Sequence, residues 1–482
     1  MGKQSLKEKT AKGLFWGGLS NGVQQLLILV FGIFLARILN ADDYGMVGML
    51  TIFSLIASSI QESGFTAALA NKKTVNHEDY NAVFWFSVLV GLSLYIILFF
   101  CAPLIARFYD TPKLTALARY SFLGFFISAL GTAHHAYMFR NLMVKQKAIT
   151  MIVSLALSGI VGITLAFSGM SYWGIATQSL VYILSVSTCY WFFSSWRPTF
   201  RLDFKPLKGM IGFSSKLLVS NIFVHVNNNL FSVLLGRFYS EKEVGFFTQA
   251  NKWNYMGHSF ATGMLQGVSQ PVLAQMSGDI VRQLNAFRKM LRFTAFVSFP
   301  MMFGLSFVSR ELIIIAITDK WLPAADIMQL LCVGGAFIPI IRLYSNLIIS
   351  KDKSGIYVWN TIGTCLVQLV SMLLLYPYGI KTMLTSYVII NTCWLFVWHY
   401  YLQREIRLTL LMVLKDVFLF AGVAALSIVA TRLITLNIEN IYWLFAGKVC
   451  ITAMLYTLIL WVCRVKILRE SIGFLFKRKP DV

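Results

Sequence analysis

Apolar residues in this chain come in long blocks rather than at the two-residue period of strands, with runs of roughly 20 to 25 separated by short polar and basic connections. Because a bilayer-spanning helix needs about 20 apolar residues, these runs predict about fourteen transmembrane helices. They lie near residues 13–39, 45–69, 81–105, 114–138, 149–167, 172–193, 209–239, 245–270, 293–317, 325–349, 356–376, 379–400, 413–434 and 442–463. One block carries a polar edge. At 100° per residue, Thr248, Asn251, Tyr255, His258, Thr262, Gln266 and Ser269 fall within a sector of about 80°, and Phe246, Phe260, Met264 and Val268 occupy the other faces. Polar groups facing lipid tails each cost several kcal/mol, so this edge is expected to line a cavity.

The polar edge has a twin. From Gly45 to Leu69, the residues Thr51, Ser54, Ser58, Gln61 and Glu62 lie within about 100° of helix circumference, and a shift of two hundred residues sets Thr51 on Asn251 and Ser58 on His258. Packing through small polar residues is the competing reading, stronger for the Ser- and Thr-rich earlier helix than for the later one. The repetition extends further. Lys12-Gly13 matches Lys208-Gly209, Ala36-Arg37 followed by Gly45 matches Gly236-Arg237 followed by Gly245, and Asn141-Leu142 matches Asn346-Leu347. Six helices per repeat is an even number, so both repeats start on the same side and are related by an axis along the membrane normal. The expected fold is an all-α polytopic membrane protein of two six-helix lobes in parallel repeat, residues 1–200 and 201–405. A C-terminal helix pair with a basic tail, 406–482, follows. The cavity is expected between the lobes, lined by the first two helices of each.

Composition agrees with this architecture: 57% of the 482 residues are hydrophobic and 13% charged, with a mean hydropathy of +0.68. The net charge of +22 does not point to nucleic acid, because the basic residues sit in short connections on alternate sides of the spans. One side holds Lys72, Lys73, Arg140, Lys145, Lys147, Lys351, Lys353 and the Arg464–Lys479 cluster, whereas the other offers only Arg107, Lys113, Lys242, Lys320 and Lys381. The basic side is expected to be cytoplasmic, with both termini on it. The first apolar run is long and lacks a small-residue cleavage site, so it is expected to be a retained helix rather than a signal peptide. All seven cysteines lie in or beside apolar runs without metal-ligand spacing, so neither disulfide nor metal is expected. No connection has room for a soluble domain, and nucleotide-binding and hydrolase motifs are absent. An enzyme is not expected, nor a cofactor.

Charges inside spans are functional candidates. Lys216, Lys252 and Arg342 each lie about seven residues, or about 10 Å, from the nearer end of their span, and Arg37 and Arg237 sit at span ends. They either snorkel to headgroups or bias a cavity toward an anion such as a substrate phosphate. Beside them stand neutral hydrogen-bonding groups: Asn21, Gln24 and Gln25 on the first helix, Asn221, His225 and Asn228 on the seventh. Together with Asn251, Tyr255, His258 and Thr262 they suit a sugar, whose hydroxyls amides satisfy and whose faces stack on aromatics; interhelical hydrogen bonding is the alternative. Glu62 is either an ion-coupling site or the partner of a cavity cation. His134 and His135 are placed at the membrane interface without a role.

Several motifs resemble the Wzx-type polysaccharide exporters, lipid-linked oligosaccharide flippases of the multidrug/oligosaccharidyl-lipid/polysaccharide superfamily, in their colanic and teichuronic acid exporter branch. The resemblance is carried by Lys7-Glu8-Lys9-Thr10 with Gly13-Leu14-Phe15-Trp16, and by Ala36-Arg37 with Asp43-Tyr44-Gly45. Further support comes from Glu62-Ser63-Gly64-Phe65 with Ala67-Ala68-Leu69, Asn81 to Phe86, and Ala102 to Tyr109. Where that branch usually carries Asp before Ser-Gly-Phe, this chain has Glu62. The resemblance implies a two-lobe, V-shaped transporter that moves an undecaprenyl-pyrophosphate-linked oligosaccharide across a bacterial inner membrane by alternating access. It also implies an ion gradient or downstream consumption as the drive, and a pathway polymerase and glycosyltransferases as partners. Two other readings compete. A multidrug extrusion-type drug/cation antiporter should show acids in its cavity, and here cations outnumber Glu62. A polysaccharide polymerase or ligase should bring a large external loop, and none is present.

Overall fold

In a membrane interior the backbone can hydrogen-bond only to itself, and each long apolar run folds accordingly into a helix or a bent pair of helices. The computed structural model describes residues 6–62, 69, 72, 74–266 and 268–470, and side chains for all of these except 6–15, 17–19, 62, 208–217, 219–220, 266 and 354. The helices are α1 (Leu6–Ile38), α2 (Ala41–Glu62), α3 (His77–Phe108), α4 (Leu114–Ala129), α5 (Thr132–Arg140), α6 (Val144–Phe167), α7 (Tyr172–Phe193), α8 (Lys208–Phe238) and α9 (Glu241–Gln266). They continue with α10 (Ser269–Gln275), α11 (Ile280–Phe307), α12 (Ser309–Ile317), α13 (Leu322–Gly335), α14 (Ile338–Ser350), α15 (Ser354–Leu375), α16 (Ile380–Ile406), α17 (Leu410–Ile434) and α18 (Ile441–Val462). Among the described residues, ten helices are long and apolar enough to cross a membrane. They become eleven if α4 and α5, bent by 44°, count as one span. Among the described residues each of the fourteen apolar runs is mainly helical, but fourteen separate spans are not confirmed.

Helix starts are specified locally. Asp79 Oδ2 accepts from the backbone N–H of Asn76 at 3.0 Å, Asp279 Oδ1 from Arg282 N at 2.9 Å, and Asn440 Oδ1 from Tyr442 N at 2.9 Å. By chain contacts the described residues separate into two compact units, Met1–Gly245 and Phe246–Val482.

In the first unit, α1 packs on α6, α6 on α7, α3 on α4, and α2 along α8. Near the starts of α2 and α9 two backbones approach so closely that only glycine fits. A Cβ on Gly45 would lie 1.7 Å from the carbonyl oxygen of Glu241, and one on Gly245 would lie 1.8 Å from that of Ala41. The contact is reciprocal under the two-hundred-residue shift, as in an isologous interface. The segment joining α7 to α8 is strapped to α3: Asn81 Nδ2 donates to Arg201 O at 2.7 Å, Asn81 Oδ1 accepts from Thr199 N at 2.8 Å, and Trp85 Nε1 donates to Thr199 O at 2.7 Å. His134 is fully buried, with its ring centroid 4.4 Å from Trp191 and 5.1 Å from Trp196, because the aromatic cluster at this end of the unit closes over it.

In the second unit, α17 packs on α11 and α18 on α17. Asp416, only 5% exposed, accepts a two-pronged hydrogen bond from Arg288, at 2.7 Å and 3.0 Å, which fixes α17 to α11. Lys351 Nζ donates to Ser277 O at 3.1 Å, much as Arg140 Nη1 in the first unit donates to Leu69 O and Lys72 O at 2.7 Å. In both units the cation closing one helix holds a connection roughly seventy residues earlier, a difference of 71 and 68 for Arg140 and 74 for Lys351.

Candidate functional site

The polar edge of the later helix is real over most of its predicted length, and it ends early. α9 stops at Gln266 and a new helix begins at Ser269, so Ser269 does not continue the edge. In an unbroken helix the ring of Pro271 would collide with the carbonyl four residues back, which favours a restart here. Ser269 is fully buried and accepts from Asn346 Nδ2 at 2.7 Å, a packing contact.

Along α9, Thr248, Asn251, His258 and Thr262 are half-buried, and Tyr255 is 61% exposed. The rings of Tyr255 and His258 meet edge to face at 5.3 Å, and Thr262 Oγ1 donates to the carbonyl of His258 at 2.9 Å. This places an imidazole, a phenol and a hydroxyl on neighbouring turns. Three of the predicted residues, Tyr255, His258 and Thr262, thus form one polar group within the second unit. Arg342 is exposed on α14 of the same unit. Lys252 lies on the preceding turn and is half-buried. Asn254 is off the edge: it is 4% exposed and seated on Gly335, where a Cβ would come within 2.3 Å of Asn254 Oδ1.

A second cluster lies in the first unit. A cavity of about 310 Å³ between α1 and the α5–α6 turn is lined by Ser20, Asn21, Gln24 and Lys147 over an apolar floor of Phe139 and Met151. Gln24 Nε2 donates to Ser20 Oγ at 2.7 Å, while Asn21 is exposed. The Lys147 ammonium stands 5.1 Å from the centroid of the Phe139 ring. Sequence reasoning placed Lys147 among the orientation-setting charges and missed its part in this cavity, since Lys147 and Asn21 are brought together by α1 packing on α6. Gln25, one residue beyond Gln24, is exposed outside the lining.

The remaining candidates are accounted for separately. Arg37 is exposed in the last turn of α1, where a cation complements the helix dipole. Its counterpart Arg237 donates to Phe108 O at 2.9 Å with its guanidinium 5.6 Å from the Phe108 ring, a structural anchor. Lys216 lies in α8 and Glu62 at the end of α2, but both side chains fall outside the described residues, as do residues 63–68 and the tail beyond 470. Among the described residues no cluster of His, Cys, Asp or Glu could hold a metal ion.

Amide, hydroxyl and imidazole groups interleaved with cations thus stand on helices of a fold that solved membrane proteins share. It superposes on the lipid II flippase MurJ in an inward closed conformation with a TM-score of 0.75 at 15% identity, covering 96% of this chain and 99% of that one. It also superposes on an inward-facing MATE family multidrug resistance transporter with a TM-score of 0.66 at 16% identity, covering 80% and 94%. The chain belongs to the family described as Polysaccharide biosynthesis protein, which matches residues 34–326. It is 22% identical over 413 residues to the lipopolysaccharide biosynthesis protein WzxC of Escherichia coli K12, covering 79% of this chain and 83% of WzxC. It is 23% identical over 398 residues to the teichuronic acid biosynthesis protein TuaB of Bacillus subtilis 168, covering 81% and 80%.

Proposed function

We propose that this protein is a transporter, not an enzyme, that moves a lipid-linked, phosphate-bearing oligosaccharide across the bacterial inner membrane by alternating access. Family membership supports the pathway, and the MurJ-like fold is compatible with a lipid-linked cargo. The observation that carries the reading is the polar group on α9, where the rings of Tyr255 and His258 meet at 5.3 Å and Thr262 donates to the His258 carbonyl, with the cation Arg342 exposed on α14 of the same unit. Hydroxyl and imidazole groups satisfy sugar hydroxyls, an exposed phenol stacks on a sugar face, and a guanidinium pairs with phosphate. Holding such groups within spans is costly, about 2.5 to 3.5 kcal/mol for a central cation on insertion scales, and a bound polar cargo offsets that cost.

In this reading Asn21, Gln25, Asn251, Tyr255, His258 and Thr262 contact sugar, and Lys216, Lys252, Arg342 and Arg37 form the phosphate path. Glu62 is the candidate for ion coupling. The chain is organised as two six-helix lobes, 1–200 and 201–405, with the helix pair and tail of 406–482 appended, and both termini are cytoplasmic. Its product passes to a pathway polymerase, and glycosyltransferases supply its substrate. The test is a reconstituted flipping assay with a lipid-linked oligosaccharide. Gln at both Lys216 and Lys252, or at Arg342, should cut translocation at least tenfold with protein level unchanged, and Arg in their Lys positions should retain part of it. Full activity in all of these variants would refute the phosphate path.

A further inference from the structure

The second unit holds a cavity that the proposed transport path does not use. Its volume is about 640 Å³, and it lies where the ends of α11 and α17 meet the start of α12, the second half of α13 and the first half of α18. The α11 and α17 ends here are those away from the basic connections. The walls include Phe303, Val333 and Val429. Val333 is 42% exposed and Val429 57%, so the cavity joins an apolar surface that faces acyl chains.

Its polar end is unusual for helices of this hydropathy. Lys448, in the second turn of α18, pairs with Glu311 at 2.8 Å, with side chains only 14% and 12% exposed. The ammonium also lies 4.5 Å from the Phe307 ring centroid. The pair uses only one carboxylate oxygen. Glu311 Oε2 is buried and accepts no hydrogen bond among the described residues, which is costly for a buried acceptor. Arg432 is exposed on the lining and has no acidic partner within salt-bridge distance among the described residues. Arg310 also lines the cavity but is engaged at 3.1 Å by the exposed Asp326. Three cations against Glu311 and Asp326 leave this end with one net positive charge.

We infer that this cavity is a binding site for an anionic glycerophospholipid of the phosphatidylglycerol type. The phosphodiester lies against Arg432 and Lys448, a headgroup hydroxyl donates to Glu311 Oε2, and an acyl chain runs over Val333 and Val429. Each part answers a feature of the site. One negative charge matches the net charge of the polar end, a neutral hydroxyl satisfies the orphaned oxygen without repelling Lys448, and the chain covers the exposed valines. An ethanolamine headgroup fits less well, because its ammonium would approach Glu311 from beside the Lys448 ammonium. The inference does not depend on what the transporter carries.

The test is native mass spectrometry of the full-length protein, released from nanodiscs containing equal parts of dioleoyl phosphatidylglycerol and dioleoyl phosphatidylethanolamine. The wild type should retain one phosphatidylglycerol in preference to phosphatidylethanolamine. Arg432→Gln, at an exposed position, should lower that retention about tenfold, the size expected for a lost charge-assisted hydrogen bond. Lys448→Met combined with Glu311→Leu removes the buried pair without stranding either charge, and should abolish the preference. Three outcomes would overturn the inference: equal retention of the two lipids by the wild type, unchanged retention in Arg432→Gln, or displacement of the lipid by soluble glycerophosphoglycerol at millimolar concentration. The last would show that a free phosphodiester suffices. Preferential exchange of the bound lipid for undecaprenyl diphosphate would also overturn it, by assigning the site to the cargo.

Discussion

The reciprocal glycine contact gives the sharpest stability prediction. In Gly45→Ala the new Cβ would stand 1.7 Å from the carbonyl oxygen of Glu241, and real Cβ contacts essentially never fall below 3.0 Å, so the two helix starts must separate by at least about 1.3 Å. The obstacle is backbone, which cannot rotate away as a side-chain tip does. Overpacking of this kind costs about 1 to 3 kcal/mol, and alanine's better helix propensity returns at most about 1 kcal/mol. A net loss of about 1 to 2 kcal/mol is therefore expected, and the same for Gly245→Ala, whose Cβ would meet Ala41 O at 1.8 Å. Since one separation relieves both clashes, the double variant should cost little more than either single one, a coupling of about 1 kcal/mol. Gly304→Ala and Gly422→Ala serve as controls, because a Cβ at either meets nothing within 4 Å. Both should be neutral or stabilising. Reversible unfolding in mixed detergent-SDS micelles measures all five variants. The reasoning fails if Gly45→Ala is no more harmful than Gly422→Ala, or if the two single costs simply add.

Three further outcomes follow from separate features. Single cysteines replacing Lys147 and Lys351 should be protected from an impermeant thiol reagent in intact cells while one at Lys320 reacts, and labelling of position 351 from outside would reverse the expected orientation. Tyr255→Ala or His258→Ala should lower export several-fold at normal membrane abundance, whereas Phe260→Ala, a change on an exposed apolar face, should not; the opposite ranking would move the cavity to another face of α9. Asp416→Ala should destabilise the second unit by about 2 to 4 kcal/mol in the same unfolding assay, because it strands the Arg288 guanidinium, and Arg288→Met combined with Asp416→Leu should recover most of that loss.

The sequence by itself determined which residues become helix. Long apolar runs leave the backbone no partner but itself, so hydropathy alone locates them, and the 100° period places Asn251, Tyr255, His258 and Thr262 on one edge of α9. The matching positions of Gly45 and Gly245 were also legible, and the structure gives both glycines the same task. Tertiary structure decided where helices break and which distant groups meet. The bend between α4 and α5 and the restart at Ser269 are small departures inside apolar sequence, and hydropathy does not register a change of helix axis. That Ser269 is a buried hydrogen-bond acceptor depends on Asn346, 77 residues further on. The cavity joining Lys147 to Asn21 and the Lys448–Glu311 pair, 137 residues apart in sequence, likewise arise from packing. Helical period is a local property of some twenty residues and can be read along the chain, whereas the partner of a buried charge is set by which helices pack together, and that information is spread over the whole sequence.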